Sequence, residues 1–83
     1  MHRATRRFWA CFANLPADIQ NLAQKNYALL KANPHHPSLQ FKKVGKVWSA
    51  RVGLHYRALA TEDGAEFIWV WIGTHDGYER MIE

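Results

Sequence analysis

The stretch Trp48-Ser49-Ala50-Arg51-Val52-Gly53-Leu54-His55-Tyr56-Arg57-Ala58-Leu59 decides the fold, because its apolar and polar residues alternate. Trp48, Ala50 and Val52 fall on one side, with Val47, Ser49 and Arg51 on the other. After Gly53, Leu54, Tyr56, Ala58 and Ala60 alternate with His55, Arg57, Leu59 and Thr61. Side chains repeat every two residues only on a strand. Gly45 and Gly53 stand where a turn or bulge is needed, and Asp63-Gly64 is a hairpin signal. Beyond it, Phe67-Ile68-Trp69-Val70-Trp71-Ile72 is apolar on both faces, which reads as a central strand. Leu39 and Phe41, alternating with Gln40 and Lys42, begin this strand-forming half at Ser38.

Upstream the period changes. Thr5 can cap a helix from Arg6 to Leu15 that puts Phe8, Phe12 and Leu15 on one stripe. Pro16 suits the first turn of a second helix, where its missing N–H costs nothing. In that helix Ile19, Leu22, Ala23, Tyr27 and Leu30 recur at spacings of three and four, and Asn33-Pro34 ends it. Residues 73–77 read as a polar loop, and Tyr78 to Ile82 as a last helical turn. The expected architecture is therefore α+β. Two N-terminal helices pack on a twisted antiparallel sheet of three to four strands, followed by a short C-terminal helical turn, in a single domain spanning residues 1–83. One sheet face lies under the helices and part of the other stays open.

Composition narrows the function. The 83 residues include 11 Lys and Arg against 7 Asp and Glu, for a net charge of +4 and a pI near 9.6. That balance favours polyanions such as nucleic acid, an acidic protein or a membrane surface. Cys11 is the only cysteine, so no internal disulfide forms and a reducing compartment fits. The basic start, Met1 to Arg7, is followed by an apolar run too short for a signal peptide. No stretch approaches the roughly 20 apolar residues of a membrane span. The expectation is a cytoplasmic protein that does not engage membranes.

No phosphate-binding glycine loop, metal-ligand spacing or serine-type constellation is present. His35-His36 lies between two prolines, without Cys or carboxylate partners at useful spacing, and reads as a solvated loop. Neither a metal nor a cofactor is expected. The informative set is Arg51, His55, Arg57, His75 and Tyr78, with Lys42, Lys43 and Lys46 around a nearby turn. By the alternation, Arg51 and Arg57 project opposite Trp48, Val52, Tyr56 and Ala58, and so away from the helices. Arginine offers a planar fork that matches phosphate oxygens. Histidine exchanges protons near neutrality, and tyrosine stacks on unpaired bases. Together they suit RNA cleavage through the 2′-hydroxyl, which needs a base, an acid and charge stabilisation but no metal. The plainer reading stands beside this one: solvated strand arginines, an ordinary His-Asp loop, a tyrosine closing the core and a solvated lysine turn.

Three stretches resemble the RelE/ParE superfamily, the toxins of type II toxin–antitoxin systems. They are residues 36–44, residues 48–59 with their Arg-Val-Gly and Tyr-Arg pairs, and residues 67–75 ending in Ile72-Gly73-Thr74-His75, with Tyr78 just beyond. With the two leading helices the resemblance covers nearly the whole chain. It implies two N-terminal helices against a twisted antiparallel sheet, and an antitoxin as partner. It also implies an endoribonuclease that cuts messenger RNA on the ribosome and inhibits translation, or else an inhibitor of DNA gyrase that cuts nothing. Outside both lies a nucleic-acid-binding module without toxicity.

In the RNA-cutting branch Arg57 matches the arginine on the scissile phosphate, and Arg51 lies near a basic position that binds or activates. His75 falls where a catalytic Arg or His stands, and Tyr78 resembles the C-terminal tyrosine. Lys42, Lys43, Lys46 and His55 are then the candidates to bind RNA. The chain departs from the pattern in three ways. Ser49, Ala50 and Arg51 replace paired lysines, Glu62 and Glu66 flank a turn rather than offering a general base, and the N-terminal strand is missing or reduced.

Overall fold

The computed structural model describes residues 2–82. Among them the chain order is β1 (His2–Ala4), α1 (Arg6–Ala13), α2 (Ala17–Ala32), β2 (Lys42–Val44), β3 (Val47–Val52), β4 (Tyr56–Asp63), β5 (Glu66–Thr74) and α3 (His75–Ile82). A single 3₁₀ turn, Pro37–Leu39, precedes β2. The sheet order is β1-β5-β4-β3-β2, antiparallel throughout except that β1 runs parallel to β5.

The fold class is α+β as expected, but three details differ. The sheet is mixed and has five strands among the described residues, because His2, Arg3 and Ala4 align beside Phe67, Ile68 and Trp69. The C-terminal element is an eight-residue helix rather than one turn. The polar loop expected at residues 73–77 does not exist. β5 continues to Thr74, whose Oγ1 accepts from Gly77 N at 3.2 Å and so caps α3 from its first residue.

Local chemistry explains the ends. Thr5 Oγ1 accepts from Phe8 N at 3.1 Å and starts α1, while Thr5 N donates to the Trp69 carbonyl at 3.0 Å, joining β1 to the helix start. Gln20 Nε2 on α2 donates back to the carbonyls of Phe12 (3.0 Å) and Leu15 (3.2 Å), closing the α1–α2 corner. Gly45, Gly53 and Gly64 occupy the three strand turns with positive φ. At Gly53 an added Cβ would also lie 2.9 Å from Leu22 Cδ2, so this turn admits only glycine without repacking.

The main core lies between α1, α2 and the sheet. Leu30 and Leu39 meet Ala50, Val52, Ala58, Ala60, Trp69 and Ile72 there, and Phe41, Trp48 and Phe67 extend it as a cluster of rings. Trp69 and Ile72 share that side although three residues separate them. The β4–β5 register explains this: Leu59 opposes Trp71 and Ala60 opposes Trp69, leaving Val70 as the extra residue of a bulge. The bulge sends Trp71 to the second face, where Leu59 and Ser49 are buried and α3 packs on β4 and β5. Gly73 and Gly77 leave room for the Trp71 ring, since a Cβ on either would come within 2.5 and 3.1 Å of its Cζ2.

β1 is anchored through His2. Its ring stacks on Phe67 and Trp69, meets Tyr27 edge-on, and accepts the Trp69 indole N–H on Nδ1 at 3.1 Å. Burial, with nearby positive charge that includes Lys31, lowers the His2 pKa from 6.5. The unfolded chain therefore binds this proton more readily than the folded one. The contribution of His2 to stability is complete above pH 6.5 and is lost as pH falls through the lower folded value. Urea midpoints at pH 7.5 and pH 5 should show a loss on acidification, and the loss should be smaller in His2→Phe. Gly53→Ala should lower the unfolding free energy at either pH by about 1–2 kcal/mol.

Candidate phosphate-binding cleft

Arg51 on β3 and Arg57 on β4 are direct partners across the strand pair, and Gly73 on β5 opposes Arg57. Directly opposed residues project from the same face, so both arginines rise on the second face of the sheet. Gly73 lies next to them on that face without a side chain. The β3–β4 turn and the β5–α3 junction then meet, because His75 N donates to the His55 carbonyl at 2.7 Å. The result is a polar cleft of about 530 Å³ bordered by Arg51, His55, Arg57, Thr74, His75 and Asp76.

Tyr78 does not border the cleft; it is buried beside it. Its ring lies 5.3 Å from the Arg57 guanidinium carbon and 5.9 Å from the His75 ring. Of the expected residues, Arg51, His55, Arg57, His75 and Tyr78 are thus brought together. Lys42, Lys43 and Lys46 are not: none borders the cleft. Lys42 opposes Ser49 while Lys43 opposes Trp48, so the two lysines point to opposite faces, and Lys46 sits in the β2–β3 turn.

The two arginines are held differently. Arg51 Nε donates to the Gly53 carbonyl at 2.9 Å, folding that side chain over its own turn. Arg57 Nη2 donates to Gln40 Oε1 at 3.5 Å, but its Nε and Nη1 are buried with no hydrogen-bond partner. A sealed N–H without an acceptor costs about 1–3 kcal/mol, and more when it is part of a cation. The α3 N-terminus adds positive potential at the same edge.

Two contacts escaped the sequence reading. Gln40 lies two residues before Lys42, on the same strand side, and reaches Arg57. Glu79 Oε1 stands 3.3 Å from His75 Nδ1, a spacing of four residues that becomes meaningful only once α3 starts at His75. Among the described residues no group of three or more His, Cys, Asp or Glu could hold a metal ion.

Comparison with known proteins places the fold. Residues 17–80 match the ParE-like toxin domain. The chain belongs to that family. This ParE-like toxin is similar in fold to the RelB–RelE antitoxin–toxin complex from Methanococcus jannaschii, with a TM-score of 0.75 at 14% identity over 98% of this chain and 99% of the other. It is also similar to the toxin–antitoxin complex RelBE2 from Mycobacterium tuberculosis (TM-score 0.64, 21% identity, 90% and 96% covered). A copper-bound mutant toxin from Helicobacter pylori gives 0.61 at 15% identity, with 92% and 94% covered. No curated protein matches the sequence. Among the described residues, no helix is long and apolar enough to cross a membrane.

Because Arg57 carries sealed donors, replacing it should stabilise the toxin. Arg57→Met keeps an extended side chain beside Tyr78 and removes both orphan N–H groups, at the loss of one cation–π contact. The unfolding free energy from denaturant titration should rise by about 1 kcal/mol or more. A fall would mean that these donors are satisfied in solution.

Proposed function

We propose that this ParE-like toxin is a ribosome-dependent endoribonuclease, an mRNA interferase that inhibits translation and is held in check by a cognate antitoxin. The observation that carries the reading is the unsatisfied guanidinium of Arg57, paired across the strands with Arg51 and next to His75. In this reading the scissile phosphate takes the donors of Arg57, and Arg51 adds charge neutralisation. The 2′-oxygen of the preceding ribose attacks phosphorus as its proton leaves. The bond from phosphorus to the 5′-oxygen breaks as that oxygen takes up a proton, leaving a 2′,3′-cyclic phosphate and a 5′-hydroxyl. His75 serves as acid or base in these transfers. Tyr78 positions a base or assists a transfer, and the exposed His55 and the Lys42–Lys46 region contact flanking RNA.

The antitoxin belongs on the opposite side of the sheet. There α2 stands off far enough to leave an apolar cavity of about 300 Å³. Phe8, Phe12 and Tyr27 border it, and Trp9 and Tyr27 are exposed. Exposed rings beside an apolar cavity suit a partner's apolar side chain, and the net charge suits an acidic partner. That two of the similar structures are antitoxin–toxin complexes supports this partner.

The rival reading is a member of the family that inhibits DNA gyrase without cutting RNA, in which Arg57 Nε and Nη1 stay covered. In-vitro translation of a defined message separates the two. Nuclease action yields cleavage in the ribosomal A site, which Arg57→Ala reduces by about 10²–10³-fold and His75→Ala also impairs. Intact message together with blocked supercoiling identifies the gyrase inhibitor.

A further inference from the structure

Gln40 is the one non-glycine residue among those described with positive φ, at 43° with ψ 44°. It ends the 3₁₀ turn, where its N–H donates to the Pro37 carbonyl at 3.3 Å. An L residue with a Cβ is disfavoured in this left-handed conformation, and Gly or Asn is the usual occupant. The side chain of Gln40 is exposed, so packing does not explain the choice. What the side chain does is reach Arg57: its Oε1 is the hydrogen-bond acceptor of that guanidinium, across the intervening β3.

We propose that Gln40 is a positioning residue. It holds the covered Arg57 guanidinium in one orientation, so that Nε and Nη1 are already aligned for phosphate when the Tyr78 cover gives way, and a strained backbone is tolerated at this position for that purpose. The inference rests on the nuclease reading for its effect on cleavage, but not for its effect on Arg57. The Tyr78 ring covers the guanidinium but accepts none of its N–H groups, so the Gln40 oxygen is the contact that fixes its rotation within the plane of that ring. A single acceptor at the far nitrogen leaves Nε and Nη1 unoccupied while restricting where they point. Backbone strain at a position that packing does not require is the mark of a residue kept for function rather than stability.

Gln40→Gly relieves the strain and deletes the acceptor. Gln40→Asn also suits the left-handed backbone, but it is one methylene too short to reach. Both variants should melt higher than the wild type, by about 3–6 °C. In both, the Arg57 Nε–H resonance, sharp and slowly exchanging in the wild-type toxin alone, should broaden. Single-turnover RNA cleavage should drop about tenfold or more, with the half-saturating RNA concentration little changed.

A lower melting temperature would make Gln40 an ordinary fold residue and overturn the proposal. So would an Arg57 resonance unaltered in Gln40→Gly, or full cleavage in both variants while the wild type cuts. If Arg57 loosens but no form of the protein cuts RNA, the positioning contact stands and the nuclease reading is what fails.

Discussion

The structure depends on one irregularity in the β4–β5 pairing. By skipping Val70, the ladder lets a run that is apolar at every position serve two faces with large side chains. Trp69 and Ile72 fill the helix-side core. Trp71, spaced from Trp69 by only two residues, goes to the other side, where Gly73 and Gly77 make room for it. Without the bulge Trp71 would share a side with Trp69, and the second face would have Val70 and Leu59 but no large ring beside Gly73 and Gly77 for α3 to pack on. Because α3 begins directly after β5 and sits over Leu59 and Trp71, His75 and Tyr78 are carried to the arginines. Bulges re-aim side chains beside functional sites, and here one positions a whole helix.

The second face sets stability against chemistry at Arg57. A guanidinium under a tyrosine ring gains a cation–π contact of about 0.5–2 kcal/mol, yet two of its nitrogens are shut away from water and from any acceptor. Ser49, fully buried on the same face, likewise has a hydroxyl without a partner. A face evolved for packing alone would carry apolar residues at both positions, as the helix-side face does with Ala50 and Ala58. Poorly satisfied polar groups of this kind lower stability, so packing alone does not account for this face.

Much of this was legible in sequence. The two helices, the strand alternation and the glycine turns follow from periodicity. The pairing of Arg51 with Arg57 follows from a tight turn at Gly53 joining strands whose outward positions are both arginine. The resemblance to RelE/ParE toxins rested on that same segment and on the Gly73 to His75 strand end, both inside the matched region. The missed elements gave weak local signals. His2-Arg3-Ala4 has no β-branched residue and is a strand only because Trp69 supplies its indole N–H to His2 and its carbonyl to Thr5. His75-Asp76-Gly77 has the composition of a loop, and it is helical because Thr74 caps it and Trp71 supports it. The lysines are only partly gathered, because adjacent strand residues face opposite ways: Lys42, opposite Ser49, shares the arginine side, while Lys43, opposite Trp48, does not.

The two faces are connected. The apolar cavity lies on the helix side of the sheet and the polar cleft on the other, and Arg51 borders both. Its side chain faces the cleft, while its carbonyl accepts from Asn26 Nδ2 on α2 at 3.3 Å. Its strand neighbours Ala50 and Val52 are core residues against the helices. Through the Asn26 contact, the backbone that carries Arg51 is tied directly to α2 as well as to the sheet, so the helix layer and the second face share one strand residue.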